Sequence, residues 1–425
     1  MELPDWIVGQ RWFRAKARPV AAVQQVDEAP LTDAVRLTVI EVAYADGGPR
    51  DRYLVPLAGA AEPADGDGAW TAMVVAMAEG REIAGAAGRF RFDATPALAE
   101  LLPSPAAAAP ALDERRLRVE QSNTSVVLGE RLILKLFRLL EPGGNPDVEI
   151  GAFLGRAGFD GTPALAGWAT YVAPGGEPCA AAILQAFVPA RGDGWRVMLD
   201  HLRDDPAAGV RAAGAIGDLT RRMHAALAAR PDEPAFPARP ATPAETGAWR
   251  AAAEEQLALA IASLGGEDHA RLVRVAPAVR ERFADAFGRA AGDETVQRIH
   301  GDYHLGQLLA TSRGFMVIDF EGEPARPLAE RRAPASPRRD LAGMLRSLDY
   351  AARSAERGVH ADGFGAVAWL AQARRAFDGG AGGAIGPLTE AFELEKACYE
   401  IRYEANNRPD WLWLPLEAVE RVAVR

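Results

Sequence analysis

A two-lobed α+β fold preceded by a mainly β module is the architecture this sequence predicts, and three observations carry it. Period-two alternation of apolar residues is confined to the part before Pro189, helical periodicity dominates the part after it, and one polar segment flanked by short apolar runs interrupts the helices at Gln297–Pro324. The length, 425 residues, also exceeds what one hydrophobic core organises, roughly 250–300 residues.

The first module spans residues 1–102. Its strand signals are VRLTVIEVAY (Val35–Tyr44) and DRYLVPLAGA (Asp51–Ala60), set between Gly- and Pro-rich breaks. PSPAAAAPALDE (Pro103–Glu114) reads as a linker or short ordered connector. It opens a second region, residues 103–188, with a hairpin pattern: LRVEQSNTSVVL (Leu117–Leu128) and RLILKLFRLL (Arg131–Leu140) around the turn dipeptide Gly129-Glu130. A helix starts next, because Asn145 suits the N-cap, Pro146 the first helical position, and Asp147 and Glu149 the positive end of the dipole. It runs to about Gly158, and the apolar strand AAAILQAFV (Ala180–Val188) closes the region at Pro189. The third region, residues 189–425, begins with the polar turn Gly192–Trp195 and is helical over Gly214–Ala229, Ala244–Leu264, Leu272–Ala291, Asp340–Arg357 and Pro387–Asn407.

Composition excludes several function classes. Apolar residues make up 49% and charged residues 25%, an ordinary globular mixture. The net charge of −10, with no basic block, excludes a phosphate-backbone tracker, so no nucleic-acid partner is expected. No run is long and uncharged enough to span a bilayer, and the N-terminus carries acids where a signal peptide needs a basic flank, so no membrane association is expected. Two cysteines, Cys179 and Cys398, make no disulfide framework and point to a reducing cytoplasm. Of 48 basic residues only Lys16, Lys135 and Lys396 are lysines. In a chain this rich in Arg, a retained lysine is a candidate for work that needs a compact point charge.

The chemistry concentrates in Gln297–Pro324, where HGDYHLGQLL (His300–Leu309) precedes VIDFEGEP (Val317–Pro324). Phosphoryl transfer needs one carboxylate beside the attacking hydroxyl and oxygen ligands that hold Mg²⁺ on the phosphates. Asp302 suits the first role, and Gln307 and Asp319 the second. Asp also caps turns, so either acid alone would carry little; the pair at this spacing, bracketed by strands, carries the assignment. His300 reads as a brace of the loop, and His304 as a group that touches the acceptor. Lys135, alone in the apolar run LILKLF, fits the ligand of the ATP phosphates. Glu149 is its natural partner, although an acid in a first helical turn stabilises the dipole regardless. Ser122, Asn123, Thr124 and Ser125 offer hydroxyl, amide and backbone N–H groups to phosphate. Gln185, Phe187 and Val188 fall where a hinge would read adenine. In the last helix Tyr399 and Tyr403 share a face with Lys396, with Glu400 beside them; aromatic rings next to hydrogen-bonding charges suit a sugar, and the same pattern equally describes an amphipathic helix packing its tyrosines.

These motifs resemble a known family. QRWFRAKARP, EQSNTSVVLGERLILKLFR, GGNPDVEIGAFL, VPARGDGW, HGDYHLGQLL, VIDFEGEPARPLAERRAPASPRRDLAGMLRSLDYAA and CYEIRYEANNRPDW are similar to the maltokinases of the aminoglycoside-phosphotransferase-like branch of the protein-kinase-like fold. The resemblance implies a bilobal kinase behind an N-terminal cap, with ATP and Mg²⁺ as cofactors and maltose as the acceptor that becomes maltose 1-phosphate for α-glucan synthesis. It implies Asp302 as base, Gln307 and Asp319 on Mg²⁺, Lys135 on ATP, and Tyr350, Tyr399, Glu400 and Tyr403 in the sugar pocket. Two departures are RWFRAKARP in place of a glycine-containing turn, and Tyr303 where Leu is commoner, a change that adjoins Asp302 and so bears on the acceptor site. A glucosamine or aminoglycoside acceptor would use the same machinery. A binding module that docks a trehalose synthase would not need the full set of Lys135, Asp302, Gln307 and Asp319.

Overall fold

A computed structural model describes residues 3–117, 122–358 and 365–423. Two compact units emerge, residues 1–155 with 162–189, and residues 156–161 with 190–425.

The first unit opens with a short helix, α1 (Leu3–Val8), and an antiparallel sheet of β1 (Val20–Pro30), β2 (Val35–Tyr44) and β3 (Asp51–Ala58). Helix α2 (Ala69–Ala78) follows, then β4 (Glu82–Ala84), β5 (Arg89–Ala94) and the short helices α3 (Pro96–Leu101) and α4 (Pro105–Ala108). The remainder is β6 (Glu114–Arg116), β7 (Asn123–Leu128), β8 (Leu132–Phe137), α5 (Pro146–Arg156), β9 (Leu165–Val172) and β10 (Pro178–Ala186). A seven-stranded sheet runs in the order β4-β5-β9-β10-β8-β7-β6. It therefore draws two of its strands from residues 82–94, ahead of the Pro- and Ala-rich connector. One apolar core joins these parts, from Ala29, Val39 and Leu54 through Trp70 and Met73 to Leu134 and Leu184.

Turn and cap chemistry accounts for the local geometry. Gly129 and Glu130 both take positive φ, 58° and 52°, which is what a tight β7–β8 hairpin requires. Asn145 Oδ1 accepts from Asp147 N–H at 2.8 Å, the N-cap bond of α5. Helix α2 lies inside the module expected to be mainly β, and Glu114 organises its start from a distant strand. The Glu114 carboxylate, 5% exposed, accepts from the N–H groups of Gly66, Gly68, Trp70 and Thr71. A negative charge is stabilising at that end of a helix.

The second unit carries β11 (Gly192–Asp193), α6 (Gly194–Asp204), α7 (Pro206–Leu227), β12 (Arg239–Pro240), α8 (Pro243–Ala262), α9 (Gly266–Arg289) and β13 (Thr295–Val296). It continues with β14 (Leu308–Thr311), β15 (Gly314–Val317), α10 (Leu328–Arg332), α11 (Arg338–Gly358), α12 (Ala366–Gly380), α13 (Pro387–Asn407) and α14 (Trp413–Ala423). The polar GDGW segment is not a free turn: Asp193 Oδ1 accepts from Arg196 N–H and starts α6. A core of Trp249, Leu257, Phe283, Phe287, Phe392 and Ile401 binds α8, α9 and α13 together. Among the described residues no helix is long and apolar enough to cross a membrane.

Candidate active site

Asp302, Gln307 and Asp319 are brought to one end of a single hairpin. Strands β14 and β15 pair from Leu308↔Val317 to Thr311↔Gly314. Asp302 and Gln307 precede the first strand, and Asp319 follows the second. Ile318 N–H donates to Gln307 O at 3.0 Å, and His300 Nε2 lies 3.0 Å from Ile318 O. A carbonyl only accepts, so Nε2 carries the proton. Nδ1 is then free to accept from Asp302 N–H, 3.3 Å away. The His300 ring also packs on Phe320, with centroids 4.9 Å apart. One neutral imidazole thus ties the Asp302 loop to the Asp319 turn. Asp319 sits at φ 63°, a left-handed conformation that costs a non-glycine residue about 1–3 kcal/mol and collects at functional sites.

The loop is braced from below by Asp340, in the first turn of α11. This carboxylate is 1% exposed and accepts from His300 N–H, Gly301 N–H and His224 Nε2, each at 2.9 Å. Gly301 at φ 84° lets two successive N–H groups converge on one acid. Burial alone pushes the Asp340 carboxyl up; the hydrogen bond and field of His224 and the Gly301 N–H outweigh it and hold it below the usual range.

Tyr303 turns its ring inward, 2% exposed, and its hydroxyl accepts from Thr220 Oγ1 at 3.0 Å, so it braces the loop against α7 while still contributing to the lining of the cavity beside Asp302. Helix α11 passes so close that a Cβ on Gly343 would lie 2.6 Å from Tyr303 O. Gly343→Ala is therefore expected to destabilise by about 1–3 kcal/mol, read as a lower midpoint in denaturant unfolding; an unchanged midpoint would show that the helix can shift.

Beside Asp302 opens a cavity of about 670 Å³ within the second unit. Helix α13 forms one wall with Phe392, Glu395, Lys396, Tyr399 and Glu400, positions i, i+3, i+4, i+7 and i+8 of one helical face. His304 and Tyr350 also line it. Tyr403 continues the same face but is 45% exposed and lies off the cavity, so it is withdrawn from the pocket. Its ring stacks instead on Tyr399, 6.5 Å between centroids. The Tyr350 hydroxyl donates to Glu404 at 3.0 Å, which spends its polar end on α13 and leaves its ring to the cavity.

The wall charges are paired. Arg346 donates to Glu400 at 2.8 and 2.6 Å, Arg339 to Glu395 at 3.1 Å, and Arg326 to Glu323 at 2.9 Å. Burial raises the Glu400 carboxyl despite Arg346. Lys396 Nζ stands 3.9 Å from Glu323 Oε1 and 5.0 Å from the Tyr399 ring centre. Burial pulls Lys396 down, yet the nearby Glu323, Asp302 and Glu400 raise it overall. His304 Nδ1 accepts from Gly306 N–H at 3.0 Å, and Nε2 lies 3.9 Å from Asp302 Oδ2. Crowding by surrounding protein lowers the His304 ring, so it is neutral at pH 7.

Comparisons with known proteins settle the family. Residues 6–95 match the maltokinase N-terminal cap domain, and residues 113–377, more than half of the chain, match the phosphotransferase enzyme family. The chain belongs to the phosphotransferase enzyme family. Its relatives include a glucosamine kinase of Streptacidiphilus jiangxiensis, 32% identical over 409 residues that cover 90% of this phosphotransferase and 85% of that protein. A glucosamine kinase of Mycolicibacterium smegmatis is 31% identical, covering 71% and 77%. A solved glucosamine kinase in complex with glucosamine, ADP and inorganic phosphate superposes with a TM-score of 0.76 at 27% identity, covering 99% of both chains. The fold class is thereby the expected one, an α+β kinase-like fold with an N-terminal β cap.

In the phosphotransferase's first unit, Lys135 of β8 is opposite Ser125 of β7 and Ile183 of β10, so all three share a face of the sheet. Its Nζ lies 3.4 Å from Asp147 Oδ2 at the start of α5. Asp147, 1% exposed, is thus a charge partner that the sequence reading did not name; Glu149 lies half-buried two residues further along the same helix. The only prior signal was an acid after the N-cap, which the helix dipole explained equally well. Thr124 points to the opposite face, 7% exposed, where its hydroxyl accepts from Arg138 Nε and Nη2 at 2.9 and 2.8 Å. Its side chain is therefore committed to the core, and only its backbone is left for a ligand. Ser122 and Asn123 are half-buried; residues 118–121 of the expected strand lie outside the described residues. Gln185 is paired to Ile133 and Leu165 by the sheet, and Phe187 N–H donates to Arg131 O at 2.9 Å. Val188 is half-buried immediately after.

Proposed function

We propose that this phosphotransferase is an ATP-dependent sugar kinase whose acceptor is a neutral sugar, maltose, phosphorylated at its anomeric hydroxyl to maltose 1-phosphate. The reading rests on the charge balance of the acceptor cavity. Arg326, Arg331, Arg339, Arg346, Lys396, Arg402 and Arg408 face Asp302, Glu323, Glu330, Glu395 and Glu400 there, and Glu404 and Asp349 behind the lining hold Arg408 and Arg346, so the cavity carries no excess of negative charge. An ammonium-bearing acceptor needs an uncompensated carboxylate. Glu323, Glu395 and Glu400 are already held by arginines. The α13 wall from Phe392 to Glu400 extends about 12 Å at 1.5 Å per residue, room for two rings rather than one. The match of residues 6–95 to the maltokinase cap supports the same acceptor.

Asp302 is the cavity carboxylate with no arginine against it among the described residues, and it is assigned as the base. It accepts the acceptor's hydroxyl proton as the new O–P bond forms and the bond to the departing ADP breaks. His304, neutral beside it, orients the acceptor. Lys135, with Ser122, Asn123, Ser125 and the Thr124 backbone, is assigned to the ATP phosphates, and Gln185, Phe187 and Val188 to adenine. Gln307 and Asp319 suit Mg²⁺, which when bound offsets phosphate charge: both offer hard oxygen ligands, and the Gln307 side chain makes no hydrogen bond among the described residues. The identity to glucosamine kinases favours a second reading, glucosamine as acceptor. An ADP-release assay over maltose, glucose, glucosamine and an aminoglycoside separates them. The highest kcat/KM is expected with maltose; a preference for glucosamine would overturn the neutral-acceptor reading.

A further inference from the structure

The geometry points to Lys396 as the residue that excludes cationic acceptors: its ammonium fills, from within the protein, the position that a substrate ammonium would take among Glu323, Asp302 and Glu400. This inference rests on the neutral-acceptor reading and names the residue that enforces it. Lys396 lines the cavity from the middle of the α13 face, one turn from both Phe392 and Glu400. Its Nζ is 3.9 Å from Glu323 Oε1, too long for a strong hydrogen bond, and 5.0 Å from the centre of the Tyr399 ring. An aromatic face and a carboxylate around a cation form the arrangement by which proteins bind amine ligands. Here the cation is supplied by the chain itself.

Two further observations support the assignment. Only three of 48 basic residues are lysines, and a lysine presents a compact positive charge to a ring and an acid without the fixed fork of donors that a guanidinium carries. Two of the acids near Lys396 keep oxygens clear of arginine: Glu323 turns Oε1 toward Lys396 while Arg326 takes Oε2, and Asp302 has no arginine against it among the described residues. With Lys396 present, a second ammonium meets a like charge in a partly desolvated cavity. With Lys396 replaced by an uncharged side chain of similar length, the same acids become a receptor for it.

Glucose and glucosamine isolate the charge, since they differ by a hydroxyl against an ammonium. Lys396→Met and Lys396→Arg would be assayed beside the wild type for kcat/KM on maltose, glucose and glucosamine, together with calorimetric binding of glucose and glucosamine. The glucosamine-to-glucose ratio is expected to rise by about tenfold or more in Lys396→Met and to stay at the wild-type value in Lys396→Arg. If Lys396→Met loses turnover on every acceptor, the binding ratio must still rise by the same factor. A ratio unchanged in Lys396→Met, in turnover or in binding, overturns the assignment while leaving the neutral-acceptor reading intact. A wild-type enzyme that already prefers glucosamine overturns that reading first, and with it the role of Lys396.

Discussion

Asp302→Asn is expected to lower kcat by about 10²- to 10⁴-fold while leaving the KM for ATP close to the wild-type value. The carboxylate stands at the acceptor cavity, 3.9 Å from a neutral His304, with its own N–H held by His300 Nδ1. An asparagine preserves that backbone bond and the shape of the loop but cannot take a proton from the acceptor. The loss therefore belongs to the chemical step, and a kcat-against-KM comparison in steady state separates it from a binding defect. Nucleotide binding by calorimetry supplies the control. Wild-type turnover in the variant would remove Asp302 as the base and leave the hairpin without a catalytic acid.

Asp340→Ala should give the largest loss of stability, about 3 kcal/mol or more, with activity falling in parallel. Three donors converge on this buried acid, and two are successive N–H groups of the loop that carries Asp302. Truncation leaves all three without an acceptor in a place water does not reach. Urea unfolding is expected to show a lower midpoint at unchanged slope. The pH dependence has a definite sign. Because the folded carboxyl lies below its ordinary value near 3.9, its contribution is fully present above about pH 4 and is lost as pH falls through the folded value. Wild type and variant should therefore differ by a constant amount near neutrality and converge in acid. A variant as stable as wild type at pH 7 would show that the loop holds itself without the brace.

Local signals in the sequence located most of the elements. The Gly129-Glu130 turn, the Asn145 cap, the strands either side of residues 312–313 and the helix Pro387–Asn407 lie where turn residues, capping and period place them. What escaped were contacts made over long sequence separations. Helix α2 starts where it does because Glu114, more than forty residues later, accepts its N–H groups. Strands β4 and β5 look like part of the N-terminal module until they pair with β9. That Asp302, Gln307 and Asp319 meet at one end of a hairpin was legible because their spacing is local. Asp340 was not: nothing in RRDLAGM says that its carboxylate turns back to His300. Likewise the pairing of Arg339 with Glu395 and of Arg346 with Glu400 joins two helices far apart in the chain, so the charge of the cavity became countable only in three dimensions.

One wall of the proposed acceptor cavity is a single face of α13, whereas the residues proposed to transfer the phosphoryl group hang from a hairpin held by His300 and Asp340. On that proposal, substitutions along α13 would redraw which alcohol is admitted without disturbing how a phosphoryl group is moved. A change of acceptor would then need only a handful of side chains exchanged along one helix, with the fold and the hairpin left as they are.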